Sequence, residues 1–353
     1  MESTQNSLTQ ELWASEDNQL FLNDRLPDEI KGHYQKIFRE ATYRSGLKSH
    51  LGFLTSGTTV VDAKSYKVVL ISKEAFLESA RTVNKYFMIN PKDIWLQCLP
   101  RFHVGGLAVE ARSHVSGFNV MKLAGRWNVE AFYNALGATK ATWSSLVPVQ
   151  VYDLVQKQFE APQNFRAFVG GGRLNPQLHE QAKDLGWQLI PTYGLTELSS
   201  MVALIENDNL KFLPHVQFLI KDDKLSLKSK SLFTGYVQVV KGQVEIEPAK
   251  TSGGYFLTDD SVKKLGHNII LFGRAQDVVK ISGELVSLQK LRDSWFQFAG
   301  LDFAPVSHVI TIPDPRLENR VVLVIQKDEK YRDRAVLSHF HPNPKIMEMI
   351  LNY

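Results

Sequence analysis

Short apolar runs alternate with segments of helical periodicity between residues 50 and 200. The runs that read as buried strands lie at 51–54, 67–71, 94–99, 119–123, 141–146, 165–169 and 187–190. Ser72 is a good N-cap for one of the intervening helices. Apolar residues of that helix share one face at Phe76, Ala80, Val83 and Phe87. Asn175 before Pro176 indicates another helix start. Strands alternating with helices predict βαβ units and a mainly parallel sheet, which makes the fold class α/β.

The pattern changes after residue 210, where short strands follow one another closely. Residues 216–220 and 225–229 read as a β-hairpin around the Asp-rich turn at 221–224. Short strands and glycine turns continue over 233–258 and form a β-rich extension. We expect a domain boundary near 272–277. The chain is thus predicted to hold a large α/β domain at 1–272 and a small α+β domain, acting as a lid, at 273–353.

The composition argues against several classes of protein. No run of about 18 apolar residues occurs, and the polar N-terminus lacks the apolar core of a signal peptide, so we expect neither a membrane span nor secretion. The single cysteine, Cys98, excludes an internal disulfide and a Cys-based zinc site, and it fits a reducing cytoplasm. The formal net charge of +4 is scattered, without a basic stripe, so a nucleic-acid partner is not indicated.

Glycine- and hydroxyl-rich segments follow several of the predicted strands. The first, Thr55-Ser56-Gly57-Thr58-Thr59, offers hydroxyls and backbone N–H groups that suit a phosphate. It lacks the spacing of a Walker P-loop. Taken alone, such a segment is also typical of an ordinary turn.

Two further segments follow later strands. Gly170-Gly171-Gly172 would let a flat ligand approach the backbone, or would only form a tight turn. In Pro191-Thr-Tyr-Gly-Leu-Thr-Glu197, Tyr193 could stack on a ring and Thr196 could bond a phosphate. Glu197 could hold Mg²⁺ there, although an isolated Glu is usually a solvated surface charge.

The last segment is Phe256-Leu-Thr-Asp-Asp260. It is followed by Gly273-Arg274 and then by Asp277, Lys280 and Gly283. A carboxylate with a nearby arginine can bind the two hydroxyls of a ribose. Each segment is weak evidence alone, whereas their order along one chain is specific.

In that order, TSGTT, GGG, YGLTE, TDD and GRAQDVVKISGELVS resemble the adenylate-forming superfamily of acyl-CoA synthetases, adenylation domains and luciferases. The resemblance covers residues 50–327. Leu99-Pro-Arg-Phe-His-Val-Gly-Gly-Leu107, Arg112-Ser113 and Ser144-Ser-Leu-Val-Pro-Val-Gln150 are similar to the o-succinylbenzoate–CoA ligase branch. The resemblance implies the adenylate-forming fold, with a large N-terminal domain and a small C-terminal lid that rotates between half-reactions.

The resemblance also implies roles for individual residues. The β- and γ-phosphates of ATP would be held by Thr55, Ser56, Gly57, Thr58 and Thr59. The adenine and acyl pocket would be lined by Gly170, Gly171, Gly172, Tyr193 and Gly194, with Gly171 also facing the acid. Thr196 would contact the α-phosphate, and Glu197 would bind Mg²⁺. Asp260 and Arg274 would bind the ribose hydroxyls. Lys280 and Gly283 would face the channel for coenzyme A, and Gln276 would mark the hinge.

Two residues concern the acid itself. The resemblance places His103 at the gate of the acyl site, against the alternative of a histidine satisfied in the core. Arg112 is a candidate for the free succinyl carboxylate, because arginine suits bidentate binding of that group. A structural ion pair or a surface arginine is an equal alternative for Arg112.

The chain departs from the family pattern at several places. After Thr59 the usual glycine is lost, and either Lys64 or Lys67 must replace the usual lysine of the phosphate loop. The usual TGD reads Thr258-Asp-Asp260, and Gln276 stands where Asp or Lys is usual. The catalytic lysine that the family places near its C-terminus has no match before Tyr353. We therefore expect a lid truncated before that lysine, either naturally or because residues are missing.

The combined prediction is an ATP- and Mg²⁺-dependent, AMP-forming acid–CoA ligase that uses coenzyme A as co-substrate. It would convert o-succinylbenzoate to its CoA thioester in menaquinone biosynthesis. Its partners would be small molecules, with no nucleic acid and no membrane, and the family suggests a homodimer. One alternative is a ligase for another aryl or fatty acid. The other is a non-catalytic homologue that binds a nucleotide or an acyl group.

Overall fold

The computed structural model of the protein describes residues 11–55, 67–274, 278–281, 284–288, 291–293, 295, 307–314, 318–325 and 347–349. The chain divides into two compact units. The first comprises Met1–Leu174, Leu178–Phe218 and Leu227–Phe256, and the second comprises Asn175–Gln177, Leu219–Ser226 and Leu257–Tyr353.

The described helices are a turn at 11–14, α1 Asp28–Ser45, α2 Lys73–Phe87, α3 Val104–Ser116, α4 Val129–Thr139, α5 Pro148–Gln156 and α6 Pro176–Asp184, with a 3₁₀ turn at Thr196–Leu198 and helical residues at 288, 291–293 and 295. The strands are β1 Gln19–Phe21, β2 His50–Thr55, β3 Lys67–Ser72, β4 Ile94–Gln97, β5 Asn119–Lys122, β6 Trp143–Leu146, β7 Arg166–Val169, β8 Gln188–Leu195, β9 Ser200–Glu206, β10 Asn209–Phe212, β11 Gln217–Lys221, β12 Lys224–Lys228, β13 Gly235–Val240, β14 Gln243–Pro248, β15 Thr251–Ser252, β16 Tyr255–Leu265, β17 Asn268–Arg274, β18 Val278–Ile281, β19 Glu284–Ser287, β20 Ser307–Asp314, β21 Glu318–Ile325 and β22 Met347–Met349.

The first unit contains the predicted parallel sheet. Its strands run in the order β5-β4-β6-β7-β8 with parallel pairing, and β9 and β10 continue antiparallel. A second sheet of the order β1-β2-β3-β13-β14 lies in the same unit. Trp95 and Trp143 stack with ring centroids 5.5 Å apart in the core beneath the parallel strands. The alternation of strand and helix predicted for residues 50–200 is confirmed.

Several local predictions are also confirmed. The Ser72 hydroxyl accepts a hydrogen bond from the Ala75 N–H at 3.1 Å, so it caps α2 as expected. Asn175 accepts a hydrogen bond from the Gln177 N–H at 2.8 Å, directly before Pro176 opens α6. The hairpin forms between β11 and β12, which are neighbours in the sheet. Its turn residues Asp222 and Asp223 both have positive φ, which a two-residue hairpin turn requires.

The second unit holds the remaining antiparallel ribbons. Strands β16 and β17 pair with Asp260 directly opposite Arg274, and β18 pairs with β19. Strands β20 and β21 are antiparallel, and β22 adds in parallel to β21. The predicted boundary near 272–277 stays a prediction. None of the helices in the described ranges is both long and apolar enough to cross a membrane.

His215 gives the first unit a pH-dependent stability. Neither ring nitrogen has a hydrogen-bond partner among the described residues, and burial lowers the pKa of His215 to about 4, with Glu78 opposing the shift. In the unfolded chain the His215 imidazole binds a proton near pH 6.5, whereas the folded protein holds it neutral at that pH. The stability gained by burying the neutral ring is therefore present above pH 6.5 and is lost as the pH falls toward 4. We expect the loss to reach about 3 kcal/mol. Denaturant unfolding of His215→Phe at pH 5.0 and 7.5 should show most of this pH dependence removed.

The exposed His267 provides the matched control for this prediction. His267→Gln should unfold as the wild-type protein does at both pH values, because this side chain is exposed to water in the folded protein as it is in the unfolded chain. Equal pH dependence in His215→Phe and the wild-type protein would contradict the assignment.

Candidate active site

The glycine segment lies at the carboxyl end of the parallel sheet, where ligands bind in open α/β folds. Gly170 directly follows β7, and a Cβ on it would lie 2.9 Å from the Thr192 hydroxyl oxygen. Gly171 has a φ of +75°, a conformation that a side chain would strain. Gly170–Gly172 have no side chains to cover their backbone at this edge, and the backbone lies close to β8. A flat ligand could therefore approach it, as the sequence predicts.

The YGLTE segment differs from the expectation of a loop after a strand. Strand β8 extends through Leu195, so Tyr193 and Gly194 belong to the strand itself. The register with β9 shifts between these two residues, and a Cβ on Gly194 would lie 2.3 Å from the Ser200 carbonyl oxygen. Glycine is required there by this close approach of two backbones. Tyr193 is buried, and its pocket-lining role stays a prediction.

Glu197 lies on the 3₁₀ turn after β8 and is half-buried. Its Oε1 accepts a hydrogen bond from the Tyr236 hydroxyl at 2.8 Å, and its backbone carbonyl accepts from the Phe233 N–H at 2.7 Å. Glu197 is therefore not the solvated surface charge of the alternative interpretation. Thr196 precedes it on the same 3₁₀ turn.

The phosphate segment begins at the end of β2. Thr55 is the last residue of that strand and pairs directly with Lys67, the first residue of β3. The Lys67 ammonium lies 5.0 Å from the centroid of the Tyr236 ring. Predictions for Ser56, Gly57, Thr58, Thr59 and Lys64 fall outside the described residues.

His103 stands immediately before α3, with its ring 4.6 Å from that of Phe102. Its side chain has access to solvent, yet the surrounding protein desolvates it and lowers its pKa below the ordinary value. The preceding backbone packs tightly against the helix, since a Cβ on Gly106 would lie 2.1 Å from the Pro100 carbonyl oxygen. A neutral, accessible imidazole at the start of α3 does not match the alternative of a core histidine.

Arg112 projects from the same helix into the aromatic core. It is 3% exposed, and its guanidinium carbon lies 5.1 Å from the Phe168 ring centroid and 5.7 Å from that of Trp95. Its Nε has no hydrogen-bond partner among the described residues, and no ion pair with a described carboxylate forms. Desolvation lowers the pKa of Arg112 to about 9, so the side chain stays charged at neutral pH. Arg112 is therefore not a surface arginine, and no carboxylate in the described part of the chain forms the alternative ion pair with it.

A buried carboxylate in α3 was missed by the sequence analysis. Glu110 is 1% exposed, and its Oε1 lies 2.9 Å from Arg101 Nε and 3.1 Å from Lys122 Nζ. The paired cations offset the cost of burying this charge. Glu110 thereby ties α3 to the segment that carries His103. A lone carboxylate within the apolar run 106–111 was the signal that could have shown it.

The second unit holds the predicted ribose pair. Asp260 is buried, its N–H donates to the Thr258 hydroxyl at 3.2 Å, and it faces Arg274 across the β16–β17 pair. Lys280 lies on β18, whereas Gln276 and Gly283 fall outside the described residues. The roles of these residues stay predictions.

The side chains around Glu197 can be compared with the ligands that Mg²⁺ prefers. Magnesium is commonly bound by one or two carboxylates together with substrate phosphates and water, without an all-protein cage. Within the described ranges no group of three or more His, Cys, Asp or Glu side chains converges. A single carboxylate, Glu197, beside hydroxyl and lysine groups fits a metal that arrives with a polyphosphate.

Comparison with known proteins identifies the scaffold. Residues 53–256 match the family model described as AMP-binding enzyme. The chain is 26% identical over 227 residues to the 2-succinylbenzoate–CoA ligase of Bacillus anthracis, which covers 61% of this chain and 44% of that ligase. The chain thus spans less than half the length of this relative.

Solved structures show the same fold at low identity. The o-succinylbenzoate CoA synthetase of Bacillus subtilis, in complex with the acyl-adenylate intermediate, has a TM-score of 0.73 and 17% identity, covering 99% of this chain and 78% of that one. The same synthetase in complex with ATP and magnesium ion has a TM-score of 0.71 and 18% identity, with coverage of 99% and 78%. The predicted α/β adenylate-forming fold is confirmed.

Proposed function

The chain belongs to the family of AMP-binding enzymes, and from that premise we propose that it is an ATP-dependent acid–CoA ligase acting on o-succinylbenzoate. The reaction would place it in menaquinone biosynthesis. The similarity to 2-succinylbenzoate–CoA ligases supports the choice of acid. The observation that carries the proposal is Arg112, a buried cation with no carboxylate partner among the described residues.

A buried cation without a counter-ion is costly, and a carboxylate from the substrate would compensate it. An acid with two carboxylates meets both requirements: one carboxylate reacts with ATP, and the other pairs with Arg112. His103 immediately precedes α3 and Arg112 is its ninth residue, so the two lie roughly 13 Å apart along the helix axis.

The chemistry proceeds in two transfers. An oxygen of the acid attacks the α-phosphorus of ATP, so that a new P–O bond forms and pyrophosphate leaves. The thiolate of coenzyme A then attacks the acyl carbon, and AMP leaves. Neither transfer needs a protein nucleophile, since positioning and charge neutralisation are sufficient.

The residues of the first unit suit these tasks. Thr55 and the residues after it would hold the terminal phosphates, Thr196 would contact the α-phosphate, and Glu197 would hold Mg²⁺. Bound Mg²⁺ neutralises phosphate charge in such a site. The bare backbone at Gly170–Gly172 would accommodate the flat base, and His103, neutral at physiological pH, would border the acid.

Pyrophosphate release is the direct test. We expect the protein to release pyrophosphate with ATP, Mg²⁺ and o-succinylbenzoate, and to form AMP and a thioester once coenzyme A is added. Omission of Mg²⁺ should abolish release, because the phosphate charge is then unscreened. Release with another aryl or fatty acid, but not with o-succinylbenzoate, would replace the proposed substrate. Binding of ATP or acid without any release would favour the non-catalytic homologue.

A further inference from the structure

Tyr236 contacts Glu197, which the proposed function assigns to Mg²⁺, and Lys67, one of the two lysines considered for the phosphate segment. Its hydroxyl donates to Glu197 Oε1 at 2.8 Å, and its ring lies under the Lys67 ammonium, 5.0 Å from the ring centroid. Glu197 and Lys67 are 130 residues apart in sequence, yet they touch the same phenol. A carboxylate for a metal and a cation for phosphate are thus held at one point of the first unit.

The Glu197 turn needs support from outside. Ser199 and Ser200, which follow it, have φ values of +58° and +99°. Such conformations in non-glycine residues cost energy and persist only where the surroundings hold them. The Ser199 hydroxyl donates to the Ser231 carbonyl at 2.8 Å, and the Phe233 N–H donates to the Glu197 carbonyl. The turn is therefore tied to residues 231–236 through backbone and side chain.

Tyr236 itself is fixed by the sheet. It lies on β13 with Val69 of β3 on one side and Glu247 of β14 on the other. Its ring meets that of Phe233 edge-on at 4.7 Å. A Cβ on the neighbouring Gly235 would lie 2.3 Å from the Glu247 carbonyl oxygen, so the strands approach closely there. A rigid strand thus presents the hydroxyl that orients a carboxylate on a strained turn.

Lys67 is available for a ligand. Its side chain is exposed, and no described carboxylate lies within ion-pair distance of its ammonium, although Glu247 is near enough for Lys67 to contribute to the lowered pKa of that carboxyl. It stands opposite Thr55 at the last strand pair before residues 56–66. Lys67 is therefore an exposed cation beside Tyr236, the residue that also contacts Glu197.

We propose that Tyr236 is a positioning residue for Mg²⁺-bound polyphosphate. It orients Glu197 for the metal through its hydroxyl and supports Lys67, the cation for the phosphates, through its ring. The proposal rests on the proposed function, in which Glu197 holds Mg²⁺. It also selects Lys67 from the two lysines between which the sequence leaves the choice open.

Titration calorimetry of ATP binding, with Mg²⁺ and with EDTA, separates the two contributions. Tyr236→Phe keeps the ring and removes only the hydroxyl. We expect its affinity for ATP to fall about tenfold with Mg²⁺ and to change less than about twofold in EDTA. Lys67→Met should lose affinity under both conditions, because the ammonium contacts phosphate whether or not the metal is present. Melting temperatures close to that of the wild-type protein check that both variants fold.

The chain offers a matched control in Lys228 and Tyr255. The Lys228 ammonium lies 5.5 Å from the Tyr255 ring centroid, and no described carboxylate accepts a hydrogen bond from the Tyr255 hydroxyl. Tyr255→Phe and Lys228→Met should bind ATP as the wild-type protein does. Similar losses in the control pair would overturn the inference.

Other outcomes are equally decisive. If Tyr236→Phe binds ATP normally, or loses affinity equally with Mg²⁺ and EDTA, the positioning role is wrong. If Lys67→Met binds normally, the assignment of the lysine is wrong. A wild-type protein that does not bind ATP overturns both this inference and the proposed function. One that binds Mg²⁺–ATP with these variant effects but releases no pyrophosphate contradicts only the ligase.

Discussion

An Arg112→Met protein is expected to lose activity toward o-succinylbenzoate by about a hundredfold or more in kcat/KM, because truncation removes the charged partner of the second carboxylate. The same change should leave the free energy of unfolding unchanged or raise it by about 1 kcal/mol. Arg112 is buried among Trp95 and Phe168 without a described counter-ion, so methionine removes a desolvated charge and keeps the packing volume. Loss of activity together with retained stability distinguishes a substrate ligand from a structural residue.

Kinetics with altered acids make this test specific. Two analogues, each with one carboxylate converted to an amide, should be poor substrates of the wild-type protein for different reasons. Only discrimination against the analogue that lacks the non-activated carboxylate should disappear in Arg112→Met. Arg112→Lys should fall between the two proteins, since it keeps the charge but not the bidentate geometry.

Arg166 is a control that tests whether loss of an arginine–aromatic contact by itself lowers activity. Its guanidinium lies 4.2 Å from the Trp143 ring centroid in the same aromatic core, but its side chain is only partly buried. Arg166→Met should retain activity. Full activity of Arg112→Met with o-succinylbenzoate would remove the assignment of Arg112 to the acid.

A Glu197→Gln protein is expected to release pyrophosphate about a thousandfold more slowly than the wild-type protein at fixed Mg²⁺. Glutamine can still accept the hydrogen bond from Tyr236, so the turn should keep its conformation while the negative charge for the metal is lost. Initial rates measured over a range of Mg²⁺ concentrations should show a raised metal requirement. The melting temperature should change by only a few degrees.

Glu206 is a suitable control because it lies at the end of β9, is exposed and pairs with Lys211 at 3.4 Å. Such an exposed ion pair contributes little to stability. Glu206→Gln should therefore release pyrophosphate at the wild-type rate. Normal Mg²⁺ dependence in Glu197→Gln would contradict the metal role.

The local sequence pattern was enough to predict much of the secondary structure. The apolar run at 67–71, the cap at Ser72 and the Asp-rich turn at 221–224 each act over a few residues, and the structure places β3, α2 and the β11–β12 hairpin there. The extent of β8 was less predictable. Tyr193 and Gly194 remain in the strand because β9 pairs with them, and that partner is not visible in the local sequence.

The sequence by itself determined the order of strands and helices, the glycine-rich segments at strand ends and the family to which the chain belongs. These properties depend on neighbouring residues, whose spacing is written directly in the chain. Only the tertiary structure decided that Arg112 is buried without a described counter-ion, that Glu110 is held by Arg101 and Lys122, and that Tyr236 joins Glu197 to Lys67. Burial and charge pairing arise between residues far apart in sequence, so they are fixed when the sheets pack and not before.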